Sequence, residues 1–150
     1  MRCLGIPKIR VEVEVRPTED TDKVKKALYN VFDPEHIDII ERSNNFKLII
    51  AESSSFKSLV KLHDLLRKER ILDTARSILK RATRGNTIIF KINKQAAFQG
   101  RLSFSEEDVK SPLGPITFII KCKDPNEVID WLAPPTSKGQ PIWEKKMPLH

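Results

Sequence analysis

Residues Lys57–Phe104, KSLVKLHDLLRKERILDTARSILKRATRGNTIIFKINKQAAFQGRLSF, change their apolar periodicity twice, and the points of change set the architecture. Phe56, Leu59, Leu62 and Leu66 recur at helical spacing, and Ser53, Ser54 and Ser55 offer hydroxyls to cap that helix. If the helix ran unbroken to Arg84, Ile71, Leu72, Ala75, Ile78 and Leu79 would face nearly away from the first stripe at about 100° per residue. The spacing therefore predicts a break between Glu69 and Leu72, with Asp73 as cap, and a second helix stopped by Gly85-Asn86. Beyond Gly85 the period becomes two. Ile88, Phe90 and Ile92 share one face of a strand. KQAAFQGRLSF continues the alternation, with Ala96, Phe98, Gly100, Leu102 and Phe104 on one side and Gln95, Ala97, Gln99, Arg101 and Ser103 on the other.

Outward from this block, Ile9, Val11, Val13 and Val15 alternate with Lys8, Arg10, Glu12, Glu14 and Arg16, the pattern of a strand with one wet face. Pro17 ends it, and Thr18 followed by Glu19 and Asp20 places a capping oxygen and two acids at the start of a helix carrying Val24, Ala27, Leu28 and Val31. HIDIIE and FKLIIA, separated by Ser43-Asn44-Asn45, read as a β-hairpin. On the C-terminal side, SEEDVKSPLGP reads as an acidic loop and ITFIIKC as a strand. Asp124-Pro125-Asn126-Glu127 signals the start of a helix bearing Val128, Ile129, Trp131 and Leu132. Hairpins with segregated helices define an α+β class, an antiparallel or mixed sheet covered by helices on one face. Residues 1–134 are expected to form a single domain, and 135–150 an extended tail anchored by Trp143.

The charge is uneven. Of 27 Lys and Arg and 20 Asp and Glu, Lys57–Phe104 holds twelve basic residues and three acids, leaving fifteen against seventeen elsewhere. The whole net charge of +7 therefore belongs to one third of the chain. A polyanion suits such a surface because each neutralised phosphate releases condensed counterions, although solvated helices use the same residues for solubility. The absence of an apolar run of about eighteen residues and of a signal-peptide block predicts a cytoplasmic protein. Cys3 and Cys122 are too few and too far apart for a disulfide framework or a zinc site.

Catalytic candidates are sparse. His36, His63 and His150 fall in different elements, and there is no Gly-rich phosphate loop, H-E-x-x-H or paired Cys motif, so no enzymatic activity, metal or cofactor is expected. Glu12 and Glu14 on the first strand read as cross-strand partners for Lys or Arg. The binding candidates are richer. Arg76, Lys80 and Arg84 form one helical row, and Lys57, Lys61 and Lys68 a looser one. Arg81, Lys91, Lys94 and Arg101 flank the helix stop or lie on the strands after it, and Gln95 and Gln99 occupy the polar side of the alternation. With no aromatic row among the charges, these nine residues (Arg76, Lys80, Arg81, Arg84, Lys91, Lys94, Gln95, Gln99, Arg101) are expected to grip the backbone of structured RNA rather than stack bases.

RILDTAR, GNTIIFKINKQAAFQG, the strand start SPLGPI and the ending DWLAPPTSKGQPIW resemble a small archaeal family described as predicted RNA-binding, exosome-associated proteins. The resemblance runs from Lys8 to Trp143. It implies an α+β fold similar to the large-subunit ribosomal protein that binds the small ribosomal RNA, with homodimerisation and membership of an RNA-processing or ribosomal assembly as further expectations. The competing reading is a protein-interaction or dimerisation module using the face of Gln95, Gln99 and Arg101; a nuclease is disfavoured because no carboxylate cluster adjoins the basic helices.

Overall fold

The computed structural model describes residues 6–105 and 114–148. Strand β1 (Lys8–Val15) pairs antiparallel with β3 (Lys47–Ser53) on one side and β6 (Pro115–Lys121) on the other. With β2 (His36–Glu41), β4 (Thr83–Arg84) and β5 (Thr87–Asn93) the sheet runs β2-β3-β1-β6-β5-β4, antiparallel throughout. The alternation in β1 is realised as read, with Ile9, Val11, Val13 and Val15 all within 2% of complete burial. Ile49 and Ala51 of β3, Ile88, Phe90 and Ile92 of β5, and Ile116, Phe118 and Ile120 of β6 complete the core face.

Helices α1 (Thr21–Val31), α2 (Val60–Lys68), α3 (Leu72–Arg81), α4 (Lys94–Phe98) and α5 (Pro125–Leu132) bury their apolar stripes in the same core cluster. Among the described residues the even-numbered face of β1 is left without a helix layer, and Arg10 there pairs with Glu12 at 2.7 Å. Among the described residues no helix is long and apolar enough to cross a membrane.

The expected break in the basic helical region lies at Glu69–Ile71. Ile71 N donates to Leu66 O at 3.2 Å and Arg70 N to Arg67 O at 3.1 Å, the two crossed bonds that close a helix in a Schellman motif. Arg70 takes the left-handed position at φ 59° that glycine usually fills. The hairpin turn is equally local in origin: Asn44 and Asn45 adopt φ of 62° and 66°, a region asparagine tolerates.

Four expectations are corrected. Asp20, not Thr18, caps α1 by accepting from Asp22 N. No side chain among the described residues caps α3; Asp73 sits in its first turn and accepts the Thr136 hydroxyl. Gly85 does not stop that helix, which ends at Arg81; with Asn86 it forms a two-residue turn joining β4 to β5, taking the positive φ of 60° that such turns require. KQAAF is helix rather than strand, because the Asn93 side chain accepts from Ala96 N at 2.8 Å and caps it, and a five-residue element is too short to display its period.

The acidic loop falls, over residues 106–113, outside the described residues. The C-terminal segment contains a small hairpin, β7 (Thr136–Ser137) with β8 (Gln140–Pro141). Beyond it Glu144 is held by Arg67 at 2.6 Å and Met147 packs on the core, while Trp143 stays exposed.

Candidate nucleic-acid interface

The last turn of α3 carries Lys80 and Arg81, where cations favour the negative end of the helix dipole. Arg84 folds back to donate to Arg81 O at 2.9 Å and Thr83 O at 3.0 Å, and Thr83 Oγ1 donates to Leu79 O at 2.8 Å. These bonds satisfy carbonyls that the end of a helix leaves open.

From Arg84 the sheet register does the rest. Arg84 lies opposite Thr87, Thr87 opposite Lys121, and Lys121 opposite Lys8, so four strands contribute one row on the uncovered face. Lys8, Lys121 and Arg84 are exposed. Two lysines directly opposite each other across antiparallel strands repel, and the sheet bears that cost here. Farther up the same face the charges are balanced, with Arg10 between Glu12 at 2.7 Å and Glu52 at 3.9 Å. Lys91 stands at the end of the row through Thr117 and Glu12 and makes no ion pair among the described residues.

The structure divides the nine residues singled out in the sequence. Lys80, Arg81 and Arg84 are exposed around the end of α3 and β4, and Lys91 is exposed on β5. Arg76 is half-buried, pairing with Asp130 at 3.0 Å and donating to Ala133 O at 3.0 Å, so it ties α3 to α5. Lys94 is 3% exposed; its ammonium donates to Glu14 O at 2.7 Å and meets both Glu19 oxygens at 3.0 and 3.2 Å. Burial pulls its pKa below the ordinary 10.5, against the opposing effect of the hydrogen bond to Glu19. A phosphate has no access to that ammonium, and the expectation for Lys94 is corrected on that ground. Arg101 is exposed but forms a fork onto Glu69 at 2.8 and 3.0 Å, a hydrogen bond that holds the Glu69 carboxyl below its usual range. Gln95 lies on α4 and Gln99 caps its C-terminus, both lining a groove of about 340 Å³ against α1 with Phe98 and Val24, in the helix layer rather than on the sheet face with Arg84.

Lys8 and Lys121 were not singled out. Their place on the polar side of each strand was readable, but the register that sets them side by side is a property of the assembled sheet. Cys122, next along the chain, is buried and its thiol is pushed up to about 11, which makes it a packing residue.

The chain is thus an α+β protein with a one-sided antiparallel sheet, backed by helices, and at one end of it a group of cations that hold no carboxylate among the described residues. Residues 8–122 match the model of a family described as RNA binding, and the chain belongs to that family. It is 50% identical over 141 residues to a UPF0201 protein of Sulfurisphaera tokodaii, covering 94% of this chain and 97% of that one. A UPF0201 protein of Aeropyrum pernix is 47% identical over 142 residues, with 94% of each chain covered. Among solved structures, a UPF0201 protein from Methanococcus jannaschii superimposes with a TM-score of 0.78 at 34% identity, over 90% of this chain and 98% of that one.

Proposed function

We propose that the protein binds structured RNA without catalysis, laying the phosphate backbone along Lys8, Lys121 and Arg84 with Lys80 and Arg81 beside them. The observation that carries this reading is the lysine pair in register, Lys8 opposite Lys121, continued by Thr87 to Arg84. Side chains in such a row stand about 4.5–5.5 Å apart, and their mutual repulsion is relieved by an intervening phosphate. Among the described residues the uncovered face offers no aromatic ring between its cations, which favours backbone recognition over base stacking. Replacing Lys8, Arg81, Arg84 and Lys121 together with Ala should flatten the log–log salt dependence of RNA affinity by roughly three units, at about 0.7–0.9 for each phosphate no longer neutralised. Fluorescence anisotropy over a salt series measures this; an unchanged slope in a folded variant overturns the assignment. Resemblance to an exosome-associated family supports placing this binding in a cytoplasmic RNA-processing assembly.

One observation favours a second reading. Edge strand β2 exposes Ile39 by 42% and Ile40 by 44%, and an edge strand of six residues suits antiparallel pairing with a second copy. Light scattering with and without RNA separates the readings, since a tight dimer indifferent to RNA supports the second.

A further inference from the structure

Strand β5 is left with a gap in its outer edge. Cys122 N donates to Asn86 O at 3.0 Å, which turns the even-numbered residues of β5 toward β6 and the backbone groups of Ile89, Lys91 and Asn93 outward. On that outer edge Ile89 N donates to Ala82 O at 3.4 Å, Ser105 N donates to Lys91 O at 3.0 Å, and Asn93 N donates to Ser103 O at 2.9 Å. Between these bonds the Ile89 carbonyl and the Lys91 N–H have no backbone partner among the described residues. Both residues line a groove of about 400 Å³, walled by Ile78 and Ala82 of the α3 end and by Phe104. Phe104 keeps its ring partly exposed while its centroid lies 6.0 Å from that of Phe90 beneath. Arg81 and Lys91 stand on the rim. Among the described residues the Arg81 guanidinium is engaged only through a 3.4 Å bond from Nε to Ser77 O.

We propose that this groove receives a single unpaired nucleobase of the bound RNA. The chemistry matches at three points. An apolar slot beside a partly exposed ring suits a base plane, and stacking of this kind contributes whichever base is present. One acceptor next to one donor on a strand edge complements the Watson–Crick edge of an unpaired base, and all four bases offer a neighbouring donor and acceptor there. Cations on the rim suit the phosphates on either side of the extruded nucleotide. Arg84 donates to the Arg81 carbonyl on the rim, so a duplex lying on the cationic row would present a bulge to the groove. The inference rests on the RNA-binding reading and narrows it to helices interrupted by a bulge.

The test compares three hairpin RNAs of one stem sequence by fluorescence anisotropy at fixed salt: fully paired, with one bulged nucleotide, and with an abasic residue in the bulge. The bulged hairpin should bind about tenfold more tightly than the paired one, and the abasic bulge should lose most of that gain. Ala82→Phe, which fills the slot without removing core atoms, should abolish the preference while leaving affinity for the paired hairpin unchanged. Equal affinity of the wild-type protein for all three RNAs overturns the groove assignment and leaves the cationic row standing. No binding to any of them at low salt overturns both. Because the abasic comparison uses the unaltered protein, the result stands even if Ala82→Phe fails to fold.

Discussion

Two sets of cations in this molecule have opposite fates. Arg67, Arg76, Lys94 and Arg101 each hold a carboxylate, on Glu144, Asp130, Glu19 and Glu69 respectively. Lys80, Arg81, Arg84 and Lys91 hold none among the described residues, and Lys8 and Lys121 face each other in the sheet. All but the last two come from one basic stretch. Three of the four acids that neutralise the first set lie outside that stretch, in α5, near the start of α1 and in the C-terminal segment. The local excess of charge is therefore not the charge of the surface: Arg67, Arg76, Lys94 and Arg101 tie elements of the fold together, and the rest stay exposed.

That division can be tested most severely at Lys94. Lys94→Met leaves Glu19 buried without its partner and should destabilise the protein by about 3 kcal/mol, read from urea denaturation. A loss below about 1 kcal/mol would mean that this ammonium is not part of the framework. Arg76→Ala should lower stability by about 1–2 kcal/mol, because Asp130 and the Ala133 carbonyl lose a shared donor. The same variant should leave the salt slope of RNA binding unaltered, and a slope reduced by a full unit would move Arg76 into the other set.

Acid offers a further discrimination. Glu69 and Glu144 are held below the ordinary 4.5, chiefly by hydrogen bonds from Arg101 and Arg67. Their contribution is complete above that value and is lost as pH falls through the lower folded-state pKa, because the unfolded chain takes up the protons first. Urea midpoints measured downward from pH 5 should fall less steeply in E69Q/E144Q than in the unaltered protein. The smallest effect belongs to the lysine row. Lys121→Thr removes the repulsion with Lys8 and should stabilise the fold by about 0.2–0.5 kcal/mol at low salt, a gain that shrinks as screening increases. Destabilisation instead would mean that the two ammonium groups are not in conflict.

What could be read in advance follows from how locally each feature is determined. The strands of the sheet announce themselves because alternate residues meet core and water, and the turn of phase at Arg70 betrays the helix break, since two stripes cannot face one core from an unbroken helix. KQAAF misleads because its few residues alternate by chance, while the Asn93 cap that decides its conformation is a single hydrogen bond. The two-residue β4 is too short to carry any period, so Gly85 reads as a helix stop. For the interface, the abundance of cations is legible but their pairing is not. Lys94 and Glu19 are 75 positions apart, Arg76 and Asp130 are 54, and only the completed fold brings them together.

The buried Lys94–Glu19 pair has a consequence for heat. The cost of withdrawing ions from water falls as temperature rises, because their hydration carries an unfavourable entropy, whereas apolar burial reaches a plateau. The net contribution of this pair therefore grows on warming, and a substitution at Lys94 assayed at room temperature understates the part it plays near the melting point.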